Sequence, residues 1–332
     1  MTWMAMILSL TVAVSAPNPA VKVIFDTDMY TDYDDIGALA MLHAMTDAGE
    51  AELLAVTQCT RGNAGLAVVE IINRYYGRPD LPLGCLHGIG VEGAGAKGFG
   101  LLEKYAGWYR YPDNQAAPDA VGVFRKTLAA QPDGSVVICA VGYLSNLRLL
   151  LESQGDANSP LNGRELVAKK VNKTVIMACS YPSGNEHNSA GDWQSSKIVF
   201  EQWPTPIVFV DYQYGRDLYA GRAVAESAHE RNPVKDAFKN RLTPRNQVTP
   251  TSSDQSAGQP SWDEAAVLAA VRPLSRYFNT ERGTFRMVGT NGDDTWTADP
   301  ASPHVRVTVK MPKEEVGKVI DELMTRPPKA DR

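Results

Sequence analysis

Short apolar runs recur along the chain, with longer segments of helical character between them. Each run is typical of a buried strand, and the runs are Val21 to Phe25, Glu52 to Thr57, Leu81 to Cys85, Val136 to Val141, Lys173 to Ala178 and Pro206 to Val210. The predicted helices are Ile36 to Met45, Ala64 to Tyr76, Ala120 to Ala130, Leu144 to Glu152, Asp192 to Gln202 and Asp263 to Val271. This alternation predicts an α/β fold, with an open, mostly parallel sheet flanked by helices.

The C-terminal third is less regular. The segment from Asn232 to Pro260 is polar and rich in Pro, Ser, Thr and Gln, so we predict that it runs over the surface before Trp262. Further on, His304 to Met311 has the pattern of a strand. An amphipathic helix is predicted from Pro312 to Met324, because proline is favoured in a first helical turn.

Size and charge narrow the class of protein. A chain of 332 residues with 44% hydrophobic residues can bury a full core. Its net charge of −5 and its lack of a Lys/Arg run argue against a nucleic-acid partner, because phosphate contacts need clustered positive charge. We therefore expect a small-molecule ligand.

The first residues are apolar and end in Val14-Ser15-Ala16, which suits a signal peptide with a small-residue cleavage site. We expect residues 1–16 to be removed and the protein to be exported, to the periplasm or outside the cell. The stretch is too short to span a membrane comfortably, since a span needs about 18 apolar residues or more. A disordered N-terminus is the alternative.

The four cysteines, Cys59, Cys85, Cys139 and Cys179, stand far apart and form no Cys-x-x-Cys pair. A zinc site is therefore not expected. Buried thiols are the default, although an exported protein could pair some of them.

Five aspartates follow the first apolar run within ten residues: Asp26, Asp28, Asp32, Asp34 and Asp35. So many like charges repel one another and persist ionised only if a cation neutralises them or water solvates them. Ca²⁺ and Mg²⁺ prefer oxygen ligands and are the natural partners. The cluster lies on a strand-to-helix connection, where sites of α/β sheets form.

The pattern Asp26-x-Asp28-x-x-x-Asp32-x-Asp34-Asp35 resembles the N-terminal signature of the inosine/uridine-preferring nucleoside hydrolases, in the longer bacterial form DxDxxxDxDD. Five more blocks follow in family order: Val56 to Asn63, Ala140 to Asn146, Val175 to Met177, Gly184 to Asn188 and Ser261 to Val267. The resemblance implies a Rossmann-like nucleoside hydrolase fold, with one catalytic domain over residues 20–325. It also implies a homodimer or homotetramer.

The family resemblance further implies Ca²⁺-assisted hydrolysis of the N-glycosidic bond of purine or pyrimidine ribonucleosides, to free base and ribose. Carried over block by block, the metal ligands are Asp28, Asp35, Asp263 and the carbonyl of Val141, and Asp28 is also the general base. The implied substrate-binding residues are Asp34, Asn63, Met177, Asn185, Glu186, Asn188 and Trp262.

Some positions leave alternatives open. Many members of the family have His where this chain has Trp262, so protonation of the leaving base is unassigned. Because two residues are inserted before the Asp34-Asp35 pair, Asp32 could take the role given to Asp34. Asn63 could instead cap a helix. His187 could face the base.

Two other functions remain as competing hypotheses. Asp26-Thr27-Asp28 after a strand also resembles the nucleophile loop of haloacid-dehalogenase-like Mg²⁺ phosphatases. Alternatively, the chain is an exported metal-dependent nucleoside- or sugar-binding protein with little catalysis, a hypothesis motivated by Trp262.

Overall fold

A computed structural model describes residues 19–30, 32–93, 100–242 and 258–329. The predicted signal peptide, residues 1–16, lies outside these ranges. Within them the strands are β1 Val21–Thr27, β2 Ala51–Gln58, β3 Thr60–Arg61, β4 Leu83–Cys85, β5 Val91–Glu92, β6 Val136–Ala140, β7 Val171–Met177, β8 Ser183–Gly184, β9 Ile207–Val210, β10 Tyr219–Gly221, β11 Gly258–Pro260, β12 Phe278–Val288, β13 Asp293–Ala298 and β14 Val305–Val309.

The helices of the same ranges are α1 Asp34–Asp47, α2 Gly65–Tyr75, α3 Leu101–Lys104, α4 Ala120–Ala129, α5 Ser145–Glu152, α6 Gly163–Lys170, α7 His187–Gly191, α8 Trp193–Gln202, α9 Tyr212–Gly215, α10 Arg222–Ala225, α11 Pro233–Arg241, α12 Asp263–Val271, α13 Leu274–Tyr277 and α14 Lys313–Thr325. A short 3₁₀ turn covers Asn114–Ala116. The predicted strands are confirmed, with ends that agree to within two residues.

Ten of the described strands form one sheet in the order β4-β2-β1-β6-β7-β9-β14-β12-β13-β8. Neighbouring strands from β4 to β14 pair in parallel, as the alternating pattern predicts. The remaining pairs are antiparallel. The result is a mostly parallel sheet flanked by helices.

Both faces of the sheet are buried. Along β1, Val23 and Phe25 belong to one apolar cluster with residues of α1, α2, α12 and α14, whereas Ile24 belongs to a second cluster with residues of α4, α5, α6 and α8. Side chains on a strand alternate between faces, and burial of both faces explains why the strand sequences are continuously apolar.

β1 is the point at which the order of the strands reverses. From β1 the chain passes to β2 on one side and later returns to β6 on the other, and both strands are parallel to β1. Crevices at the carboxyl ends of strands around such a reversal are where α/β proteins bind ligands. The aspartates that follow β1 therefore lie at the edge of the sheet where ligand sites of α/β proteins form.

Two features of the C-terminal third were not predicted. The hairpin of β12 and β13 extends the sheet, and β13 pairs with β8. The prediction of a surface excursion from residue 232 is wrong at its start, because α11 buries Val234, Ala237 and Phe238 in the core. Residues 243–257 of that segment lie outside the described ranges.

All four cysteines are free and buried, as predicted. In the part of the chain that the structure describes, no helix combines the length and the apolar character needed to cross a bilayer.

Candidate active site

A cavity of about 570 Å³ opens at the carboxyl ends of β1, β6 and β7, beside the start of α12. Every predicted site residue except Asn63 lines it. The lining residues are Asp28, Asp32, Asp34, Asp35, Val141, Met177, Ser180, Asn185, Glu186, His187, Asn188, Tyr212, Trp262 and Asp263. Residues from six separate sequence blocks thus meet in one pocket.

Three carboxylates on the wall of this pocket lie close together. One oxygen each from Asp34, Asp35 and Asp263 lies within 4.8 Å of the others, and all three side chains are buried. Burial, followed by repulsion from neighbouring aspartates, raises the pKa of each of these groups well above its usual range. A cation would relieve both effects, and an oxygen-only donor set suits a hard divalent ion.

Two helix starts bring these carboxylates together. α1 begins at Asp34 and α12 begins at Asp263, and the Asp34 carboxylate accepts long hydrogen bonds of 3.4 Å from the backbone N–H groups of Trp262 and Asp263. Helix N-termini favour negative charge. The Thr27 hydroxyl donates to Asp35 from the end of β1.

Asp28 is held against the loop that follows β6. A Cβ on Gly142 would lie 2.8 Å from Cβ of Asp28 and 2.6 Å from Sγ of Cys59, so this approach requires glycine. The neighbouring carbonyl of Val141 accepts a hydrogen bond of 2.9 Å from the Asn188 amide. A carbonyl oxygen has two lone pairs, so it retains capacity for a cation.

Behind the cavity, Asp26 ties β1 to β2 and to α5. Its Oδ1 accepts hydrogen bonds from the Thr57 hydroxyl at 2.6 Å and the Asn146 amide at 2.8 Å. Complete burial raises the pKa of Asp26 to about 7. This aspartate of the signature acts within the core rather than on the cavity wall.

Glu186 and Asn188 form a rigid part of the wall. The Glu186 carboxylate caps α7, accepting from the N–H groups of Asn188 and Ser189, and it also accepts from the N–H of Cys179 at 3.0 Å. The Asn188 amide donates to the carbonyls of Val141 and Met177. These bonds fix both side chains before any ligand arrives.

Asn63 is the one predicted site residue that the structure does not bring to the cavity. Its Oδ1 accepts hydrogen bonds from the N–H of Gly65 at 3.0 Å and from the Asn114 amide at 2.5 Å, and its Nδ2 donates to the Thr60 hydroxyl. The amide is thus used in the turn before α2, although the N-cap of that helix is Ala64 and not Asn63.

Trp262 stands where many family members have His, and it packs on Tyr212. The two rings stack with centroids 5.6 Å apart, and the indole N–H donates to the Tyr212 carbonyl at 2.9 Å. Sequence reasoning missed Tyr212. Its place directly after Asp211, at the end of the apolar run that forms β9, was the available signal.

Asp294 was also missed, because the hairpin that carries it was not predicted. Its carboxylate accepts from the N–H of Ser180 with both oxygens, at 3.1 Å each, and from the Ser189 hydroxyl at 3.3 Å. Burial raises the pKa of Asp294 to about 7. Asp294 thereby joins the two ends of the loop that carries Asn185 and Glu186.

A family model for the inosine-uridine preferring nucleoside hydrolases matches residues 23–320 of the chain. The chain belongs to this family. It is therefore a hydrolase that acts on N-glycosyl compounds. The match extends from β1 into α14 and so includes every residue of the cavity wall.

Solved structures of several nucleoside hydrolases share this fold. The plant nucleoside hydrolase PpNRh1 is 20% identical, with a TM-score of 0.67, over 93% of this chain and 100% of that one. An inosine-guanosine nucleoside hydrolase is 20% identical, with a TM-score of 0.66, over 93% and 99% of the two chains. The inosine-uridine preferring enzyme of Bacillus anthracis is 15% identical, with a TM-score of 0.65, over 92% and 99%. Among curated proteins, no sequence matches.

Proposed function

We propose that the chain hydrolyses the N-glycosidic bond of ribonucleosides with the help of Ca²⁺, releasing free base and ribose. The observation that carries this proposal is the buried cluster of Asp34, Asp35 and Asp263 on the wall of a cavity that Asp28 also lines. Family membership supplies the reaction class, and the oxygen-only donors support the choice of metal.

The proposed ligands of the ion are Asp28, Asp35, Asp263 and the Val141 carbonyl. Asp34, which we assign to the ribose hydroxyls, shares the cluster with Asp35 and Asp263, as expected if the sugar diol and the ion are adjacent. When bound, Ca²⁺ would supply Lewis-acid activation of water and a fixed contact for the sugar. Asp32 also lines the cavity and is a second candidate for a ribose hydroxyl.

In the proposed reaction, Asp28 accepts a proton from the water that attacks the anomeric carbon. The bond from that carbon to the base nitrogen breaks, and its electron pair leaves with the base. The transition state is oxocarbenium-like, so the fixed carboxylates of the cavity stabilise its positive charge. Asn188 holds ribose hydroxyls, Asn185 and Glu186 lie near the 5′-hydroxyl, and Met177 and Trp262 complete the substrate contacts.

The test is release of ribose from a panel of purine and pyrimidine ribonucleosides, with Ca²⁺ and with excess chelator. Asp28→Asn should lower kcat by about 10²–10⁴-fold, the usual contribution of a general base. Asp80→Asn is the matched control, because Asp80 is exposed and lies outside the cavity wall. If folded, Ca²⁺-loaded protein releases ribose from none of the nucleosides, the proposal fails.

A binding protein with little catalysis is the second candidate, and the stacked Trp262 favours it. The indole N–H is engaged by the Tyr212 carbonyl, so Trp262 cannot replace the His of other members as a proton donor. This candidate predicts calorimetric binding of nucleoside with no release of base. A phosphatase would instead release phosphate in the presence of Mg²⁺, and the family match argues against it.

We also propose that the protein is exported after removal of residues 1–16. The apolar stretch that ends in Val14-Ser15-Ala16 supports this proposal. Mass spectrometry of the protein recovered from its native compartment would test it, and an intact N-terminus there would contradict it.

A further inference from the structure

A nucleobase is a poor leaving group, and protonation helps it to depart. Trp262 does not supply this proton. Its indole carries a single N–H, which donates to the Tyr212 carbonyl at 2.9 Å, and its ring is stacked on Tyr212. A donor for the base must therefore come from another part of the cavity wall.

Most polar groups of that wall are already engaged within the described residues. The Asn188 amide donates to the carbonyls of Val141 and Met177. The Asn185 amide donates to the Asn291 carbonyl at 2.9 Å and to Asp293 at 3.2 Å. The Glu186 carboxylate accepts backbone N–H groups as the cap of α7. These three side chains hold the wall together.

His187 differs from them. It is exposed, it lines the cavity, and its Nε2 lies 2.7 Å from the Tyr143 hydroxyl. The two rings are 5.3 Å apart and tilted by 49°. Tyr143 engages Nε2, so Nδ1 is the ring nitrogen that a ligand in the cavity can use.

Tyr143 is itself firmly placed. It is buried, and it follows the Gly142 turn that packs against Asp28. α7 approaches it so closely that a Cβ on Gly191 would lie 2.3 Å from Cε1 of Tyr143. A rigid phenol thus sets the orientation of an otherwise exposed imidazole.

We propose that His187 protonates the departing nucleobase and that Tyr143 is its positioning residue. The inference rests on the proposed nucleoside hydrolysis and assigns the step for which Trp262 is unsuited. The proton on Nδ1 of the His187 imidazolium passes to a ring nitrogen of the base, N7 in a purine, as the glycosidic electron pair leaves with the base. The proton of the attacking water goes to Asp28, and His187 takes up a new proton from solvent.

The Tyr143 hydroxyl suits both states of the imidazole. The hydroxyl oxygen accepts a hydrogen bond from Nε2–H of the charged ring, and it still accepts one after transfer, because the neutral ring that has lost its Nδ1 proton keeps the proton on Nε2. The hydrogen bond between His187 and Tyr143 therefore stays intact as His187 gains and loses its proton, and only Nδ1 exchanges a proton with the substrate.

The test compares a purine ribonucleoside with 4-nitrophenyl β-D-ribofuranoside, whose leaving group departs without a proton. His187→Gln should lower kcat on the nucleoside by about 10²–10⁴-fold, while changing kcat on the nitrophenyl riboside by less than about tenfold. Tyr143→Phe should give a smaller loss with the same dependence on the leaving group. His229→Gln is the matched control, because His229 is exposed and lies outside the cavity wall.

Equal losses on both substrates would overturn the assignment, because they would indicate a structural or ribose-binding role. Nucleoside hydrolysis unaffected by His187→Gln would overturn it as well, and a leaving-group-dependent loss in Tyr212→Phe would then assign the proton to Tyr212. Wild-type protein that hydrolyses neither substrate would refute the proposed function itself, and the inference with it.

Discussion

Replacing Asp294 by Asn should stabilise the protein at alkaline pH. The Asp294 carboxylate is 1% exposed, and burial raises its pKa from 3.8 to about 7. The folded protein therefore keeps this proton up to about pH 7, whereas the unfolded chain releases it near pH 3.8. Stability consequently falls as the pH rises through that window, because the folded state binds more protons.

The size of the effect follows from the two pKa values. A rise from 3.8 to about 7 corresponds to about 4 kcal/mol above pH 7, and relaxation of the protein around the buried charge reduces this to about 2 kcal/mol. Asn has nearly the same shape and does not titrate. Its Oδ1 can accept from the Ser180 N–H, and its Nδ2 can donate to the Ser189 hydroxyl, so both contacts of the loop persist.

The assay is urea unfolding followed by tryptophan fluorescence, at pH 4.5 and pH 8, in the presence of chelator. At pH 8 the Asp294→Asn variant should be more stable than wild type by about 2 kcal/mol, and at pH 4.5 the difference should fall below about 1 kcal/mol. Asp80→Asn, at an exposed position, should show no such dependence. A variant less stable than wild type at pH 8, or a difference independent of pH, would refute the reasoning.

Three further substitutions test other parts of the site. Asp263→Asn removes one carboxylate of the cluster and should weaken Ca²⁺ binding by about 100-fold or more, measured by calorimetry, and unchanged affinity would contradict the proposed ligand set. Gly142→Ala brings a Cβ to within 2.8 Å of the Asp28 backbone nitrogen and should cost about 1–3 kcal/mol in thermal unfolding, so a wild-type melting temperature would count against the close approach. Asn63→Ala should cost about 1 kcal/mol of stability and leave KM unchanged. A raised KM without loss of stability would instead indicate that Asn63 contacts the ribose.

The parallel part of the sheet could be predicted from the sequence because its strands are buried on both faces. Continuous apolar runs such as Val136 to Val141 then stand out against the helices between them. The hairpin of β12 and β13 is different. β12 buries only three of its eleven residues and carries charged side chains such as Arg282, so its apolar pattern is weaker. Asp294 was missed for the same reason.

The cavity wall could be predicted where a residue's position on its strand or helix decides where the side chain lies. Asp28 and Asp263 lie at a strand end and a helix start, and the fold brings both to one cavity. Asn63 has an equally suggestive position, but Asn114, which lies 51 residues further along, engages its amide. A partner so distant in sequence cannot be identified from the pattern around Asn63.

The pairing of β13 with β8 has a consequence for biosynthesis. The aspartates that follow β1 leave the ribosome first, but the loop that faces them is tied down by Asp294, and α1 packs against α14 near the end of the chain. Contacts between such distant segments form late, because the loop between them must first be closed. The cavity would thus take its final shape only after the last helix emerges, and substrate turnover would begin only when synthesis is essentially complete.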